Sequence, residues 1–229
     1  MAGRQIPSSA ASVWGQRTGA GIHAQGRLAV IPIGGQFVPG TQWSDIMGGL
    51  SVKSLPNGAI GDGVTDDSDT IAAKDAATAA AGKALVIPPG TYRFAKSKTL
   101  SAALQFMPGA IFSVDSGKTL TLSGSLNDGY TQRFSGSGTV TITSGQPVRP
   151  EWWGSNNFTT SFQAAANSIA ARDSSDKRTG RIELGSTVYT LTDTIFLNGI
   201  SEDQTWVIEG NGRGTVLRPY KSTAFYMFK

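Results

Sequence analysis

The sequence predicts a mainly β fold, in which short strands stack in repeating units and a short helix precedes each set. Three observations predict it. Charged residues make up 16% of the chain and glycine 29 of 229 positions, whereas an ordinary soluble domain has about 25% charged residues and about 7% glycine. Apolar residues alternate with threonine in "KTLTLSGSL" and "GTVTITSG", the period of a strand with one buried face. The chain also repeats its own plan: "AGKALVIPPGTYRF" (81–94) is echoed by "TGRIELGSTVYTL" (179–191). Each copy has a glycine, an apolar strand, a corner, and a tyrosine two residues before an apolar position. Self-similarity of this kind marks stacked units that cover one another's hydrophobic faces.

Residues 1–50 have a texture of their own. "RLAVIPIGGQFVPGTQW" reads as one or two short strands broken by Pro32, Gly34, Gly35 and Pro39. The segment has too few apolar positions for an independent core, so it orders against a partner or a sister chain. Trp14, Ile31, Ile33, Phe37 and Trp43 are its candidate contacts. "SDIMGGLSVKSLPNG" then reads as a connector.

The first unit spans 51–149. After the loop "GAIGDGVTDD", Asp66 or Asp67 is placed to cap a helix by accepting a backbone N–H, and an acid in the first turn suits the helix dipole. Residues 69–81 put Ile71, Ala72, Ala76, Ala79 and Ala80 on one side, a thin face fit to lie flat on a neighbour. Gly82 ends the helix. "KALVIPPGTYRF" is a buried strand, a corner and a second strand, and "GAIFSV", "KTLTLSGSL" and "GTVTITSG" are further strands. The second unit, 150–229, repeats the plan. Phe158, Phe162, Ala165, Ala166 and Ile169 share a helical face, and the strands "DTIFLNG", "TWVIEGNG" and "GTVLRP" follow the echoed segment. Trp152 and Trp153 of "PEWWG" invite a sugar-stacking reading, but they fit better as a wedge between the two units.

Composition excludes several functions. There is no cysteine, which removes disulfides, thiolate catalysis and sulfur-ligated metals, and His23 is the single histidine. The net charge is +4, but the densest basic cluster, "DKRTGR", contains an acid and reads as a solvated loop rather than a nucleic-acid stripe. No signal peptide and no membrane span are visible; "LAVIPI" is far too short. An EF-hand loop starting at Asp62 would need oxygens at its third and fifth positions and Glu at its twelfth. Val64, Asp66 and Ala73 stand there, so no metal site is expected. "GNGRGT" lacks the third glycine of a dinucleotide loop and leads into a strand, so it reads as a turn, and no cofactor is expected.

Glycoside cleavage needs two carboxyl groups facing across a sugar. The strand-borne acids are Glu183, Asp193 and Glu209, with Asp115 and Asp128 nearer turns. Stacking could bring Glu183 beside Glu209, and a lyase base would need a cation such as Arg181 or Arg213. No catalytic set follows from the sequence.

The sequence of loop, capped helix, "VIPPGTY" and short strands resembles the start of a pectate-lyase-superfamily right-handed parallel β-helix, of the kind used by phage tailspikes and tail fibres. "GDGVTDDSDTIAAKDAA" (61–77) with "VIPPGTY" (86–92), and "PEWWG" (150–154) with "IELGSTVYTL" (182–191), carry the likeness. The second copy departs from it, lacking the "GDGVTDD" loop and having "LGST" for "PPGT". The resemblance implies a homotrimeric virion tail protein, assembled in the host cytoplasm. Residues 1–50 would join it to portal-proximal or baseplate tail proteins, and the β-helix would lead to a host-recognition or depolymerase section. Asp66, Asp67, Ile71, Ala72 and Ala76 would then form a lid over the first coil, and bacterial surface polysaccharide is the candidate ligand. The apolar run Phe225 to Phe228 suggests that the stack continues past Lys229. Two other readings compete with this one: a polysaccharide lyase or glycoside hydrolase with its site on this chain, and a passive sugar-binding module.

Overall fold

The computed structural model describes residues 49–54, 57–126, 129–154, 156–170, 180–197 and 206–219. The chain is mainly β, with parallel sheets and no barrel. It opens with β1 (Gly49–Ser51), β2 (Asp62–Asp66) and helix α1 (Ser68–Ala80). Two rounds of three strands follow: β3 (Ala84–Ile87), β4 (Gly90–Phe94) and β5 (Lys98–Leu100), then β6 (Ala103–Phe106), β7 (Ala110–Val114) and β8 (Thr119–Leu122). β9 (Phe134–Gly136) and β10 (Thr139–Ile142) complete the first unit. The second unit has a 3-10 turn (Pro150–Trp153), helix α2 (Phe158–Ala170) and strands β11 (Gly180–Leu184), β12 (Val188–Leu191), β13 (Trp206–Gly210) and β14 (Val216–Pro219).

Every strand pair among the described residues is parallel, and the order is cyclic. The sheets run β1-β3-β6, β2-β4-β7-β9 and β5-β8-β10 in the first unit, and β11-β13 and β12-β14 in the second. Leu85 therefore lies beside Leu104, Tyr92 beside Phe112, and Thr99 beside Thr121. Strands this short suffice because each buries only alternate residues. In β8, Leu120 and Leu122 are fully buried while Thr119 and Thr121 face outward. The inward residues form one core, in which Tyr92, Phe112, Phe106, Phe134 and Trp152 touch edge to face with ring centroids 4.8 to 6.4 Å apart.

The two units are joined by single pairings rather than by a broad sheet. Val148 bridges to Ile182, with Val148 N donating to Arg181 O at 2.9 Å and Glu183 N to Val148 O at 3.0 Å; the path leading to it runs inside the first unit, where Leu104 bridges to Leu126 and the Gln146 side chain accepts from Leu126 N at 2.7 Å. On the next face, Phe112 N donates to Arg133 O and Arg133 N to Trp152 O, both at 2.8 Å. Each unit places a 13-residue helix in the round just before its repeated strand pair. The internal repeat is visible at atomic level. The Tyr92 hydroxyl donates to Pro88 O at 2.9 Å, and Gly185 N donates to the Tyr189 hydroxyl at 2.6 Å, so each ring reaches back to the residue four before it.

Three expectations need correction. "SDIMGGLSVKSLPNG" is not a plain connector: Gly49, Leu50 and Ser51 pair with Ala84, Leu85 and Val86, so a boundary at residue 50 cuts through β1. "GDGVTDD" contains a strand, β2, whose pairing with β4 shifts register between Asp62 and Asp66. In the described part of "DTIFLNG" the pairing is a single bridge at Ile195 rather than an extended strand, and its last two residues lie outside the described residues. Ile195 is buried, and the Gln163 amide takes the place of a strand partner for Phe196, accepting from its N–H at 2.8 Å and donating to its carbonyl at 2.9 Å. Trp14, Ile31, Ile33, Phe37 and Trp43 lie outside the described residues.

Candidate functional site

The first feature that could serve a function is the near end, where α1 packs against β1, β3 and the edge strand β5. The helix buries a different face from the alanine one expected. Ser68, Ile71, Asp75 and Thr78 are buried, Ala72 is half-buried, and Ala76, Ala79 and Ala80 are exposed. The cause is hydrogen bonding. Asp75 lies 3% exposed and accepts from Ser101 N at 2.8 Å, Ser101 Oγ at 3.1 Å and Ala102 N at 2.9 Å. Three donors outweigh the transfer of a few alanine methyls. Asp75 was missed in the sequence, although it stands four residues after Ile71 on the same stripe. Gly82 closes the helix at φ 62°, where Gly82 N and Lys83 N return to Ala79 O and Thr78 O.

The acids of the opening loop are each occupied separately. Asp62 accepts from Val64 N and Thr65 N, both at 2.8 Å, and from Thr65 Oγ1 at 2.9 Å, and these bonds hold its carboxyl below the usual range. Asp67 is the residue before the helix, but its side chain makes no cap; it accepts instead from Ile60 N at 2.8 Å and Gly61 N at 3.1 Å. The cap-like contact belongs to Asp66, which accepts from Ser68 N at 3.0 Å and from Ser68 Oγ. Among the described residues no three acidic or histidine side chains converge on one point.

Asp69 pairs with Lys96 and, at 2.7 Å, with Lys98, and these bonds lower its carboxyl from 3.8 to about 2. The folded value lies below the unfolded one, so the contribution to stability is present above pH 3.8 and fades as pH falls toward 2. The pair is largely exposed, so the effect is small. We expect the urea midpoint of Asp69→Asn to vary less than that of the parent between about pH 5 and about pH 2, the range from just above the unfolded value down to the folded one. Equal pH slopes for the two proteins would remove the ion pair from the account.

The second feature is a charged cluster at the start of the second unit. Tyr130 donates its hydroxyl to Glu183 at 2.5 Å, and Arg149 donates to the other Glu183 oxygen at 3.0 Å while its guanidinium lies 4.5 Å from the Tyr130 ring centre. Glu183 and Glu209 are direct ladder partners on adjacent strands, as stacking suggested. Each is engaged by a cation of its own. Arg181 donates to Glu209 at 2.9 Å, and the Tyr130 hydroxyl, followed by Arg149, holds Glu183 below its usual range. That shift is opposite to the one a general acid needs, so Glu183 is not placed as an acid. Glu151 accepts from Gly185 N at 3.1 Å and from the Tyr189 hydroxyl, and burial followed by this contact raises Tyr189. Glu151 is itself buried, at 6% exposed.

Trp152 is 1% exposed and donates Nε1–H to Gly129 O at 2.9 Å; it packs between the units as expected. Trp153 is half-buried and lines a cleft of about 290 Å³ between α2 and the β9–β10 corner, and a more open one of about 550 Å³ lies between α2 and Asp193–Phe196. Much of the polar lining of the larger cleft is spent on stitching: Thr192 N donates to Thr159 Oγ1 at 2.7 Å, and both ends of the Gln163 amide hold Phe196. Among the described residues no helix is long and apolar enough to cross a membrane. No family model, curated protein or solved structure matches the chain.

Proposed function

We propose that this chain is the start of a right-handed parallel β-helical arm of phage tailspike or tail-fibre type, a trimer that joins a virion tail to a host-recognition section. The observation that carries the reading is the cyclic parallel order of β3 to β10, in which the chain takes three faces in rotation and lays each round on the one before. Connections between parallel strands of one sheet are overwhelmingly right-handed, which supports the hand proposed. α1 supports a lid: it follows β2, packs on the edge strand β5 and adds its buried Ile71 to the core. An uncovered edge would invite edge-to-edge association. A mechanical role fits the carboxylates as well, since Glu183 and Glu209 are held by arginines rather than presented to a substrate.

The test is removal of residues 1–48, which leaves β1 whole. We expect the remainder to keep its far-UV circular dichroism and its trimeric mass while losing attachment to tail particles. Retained attachment would refute the division of labour proposed here. Cleavage of bacterial surface polysaccharide by the 229-residue chain would favour the depolymerase reading instead.

A further inference from the structure

We propose that Asn211 is a site of spontaneous main-chain modification, converting to aspartate and isoaspartate through a cyclic imide formed with Gly212. The inference is independent of the function proposed above. Two Asn–Gly pairs lie among the described residues, Asn57–Gly58 and Asn211–Gly212, and both asparagines are exposed. Asparagine is a labile residue, and glycine after it leaves the amide nitrogen unshielded by a side chain. In the reaction the Gly212 nitrogen bonds to the side-chain amide carbon of Asn211, and the C–N bond to the side-chain nitrogen breaks. Ammonia leaves with the proton that the Gly212 nitrogen gave up. Water then opens the ring at either carbonyl, giving aspartate or isoaspartate.

Ring closure requires the peptide between the two residues to rotate, and the surroundings of the two pairs differ in how far they permit it. A Cβ placed on Gly58 would stand 2.4 Å from the Lys53 carbonyl oxygen. That turn is also fastened by Ala59 N to Val52 O at 2.8 Å and Ser54 N to Ser51 O at 3.0 Å. Gly212, at φ 79°, has no atom within 4 Å of the same position, and it opens a short 3-10 turn whose residues are all exposed and which is closed by one longer bond, Thr215 N to Gly212 O at 3.2 Å. The Asn211 corner is the one that opens at low cost. Modification has a structural consequence there. Asn211 N donates to Leu184 O at 3.0 Å at the end of the β11–β13 ladder, and isoaspartate would lengthen the main chain next to that bond. The new carboxylate would also stand near Glu209.

The experiment ages the full chain in mildly alkaline buffer at 37 °C (the temperature chosen to give about the rates of a living host) and maps its peptides by mass spectrometry. Asn211 is expected to convert about tenfold faster than Asn57 in the folded protein, and the two at about the same rate in urea, because tenfold reflects only a small difference in local opening. Asn211→Gln, which keeps the main-chain donor but closes its ring far more slowly, is expected to leave position 211 unmodified with the folded spectrum unchanged. Equal rates at the two asparagines in the folded protein, faster reaction at Asn57, or reaction at neither would each overturn the inference.

Discussion

Trp152→Ala is expected to lower the stability of the chain by about 4 kcal/mol, the cost of truncating a fully buried large aromatic side chain. Trp152 is 1% exposed, meets Phe134 edge to face at 6.4 Å and donates to Gly129 O at 2.9 Å. Its loss leaves both a cavity and an unpaired carbonyl at the place where few main-chain bonds cross between units. The measurement is urea unfolding followed by circular dichroism and by tryptophan fluorescence. The two probes are expected to separate in the variant, because the second unit lets go first. A loss below about 1 kcal/mol, the range of an ordinary surface change, would show that Trp152 does not hold the units together.

Asp75→Ala is expected to cost about 3 kcal/mol, because it strands the buried donors of Ser101 and Ala102. Asp75→Asn is expected to cost about 2 kcal/mol rather than to rescue, since whichever oxygen becomes an NH2 group faces a backbone N–H. Hydrogen exchange at Ser101 and Ala102 provides the local readout, and both amides should exchange faster in either variant. If Asp75→Asn proved as stable as the parent, α1 would be held by Ile71 and its neighbours alone.

Strand positions were legible in the sequence because a two-residue period, interrupted by glycine corners, has one physical reading. "TLTL" and "TVTI" became β8 and β10 with their aliphatic residues inward. The α2 face was legible for a similar reason: Phe162, Ala165, Ala166 and Ile169 are large or numerous enough to dominate the helical period and are buried, and Phe158 is partly buried against the same core. The α1 face was not. Its apolar residues are mostly alanine, whose burial is worth little, so two aspartates with backbone donors waiting elsewhere decided the orientation. Those donors, at Ile60, Gly61, Ser101 and Ala102, are set by the chain path and leave no mark on local sequence. The cluster of Tyr130, Arg149 and Glu183 was hidden for the same reason, since its members come together only when distant segments stack.

The joint between the units has a thermal consequence. Within each unit, rows of backbone bonds carry cohesion, whereas across the joint a few backbone bonds at Val148 and Arg133 are supplemented by the apolar contact of Trp152 with Phe134. Apolar attraction weakens on chilling, while hydrogen-bonded ladders are less affected. Cold should therefore weaken the Trp152–Phe134 contact before the ladders on either side of it.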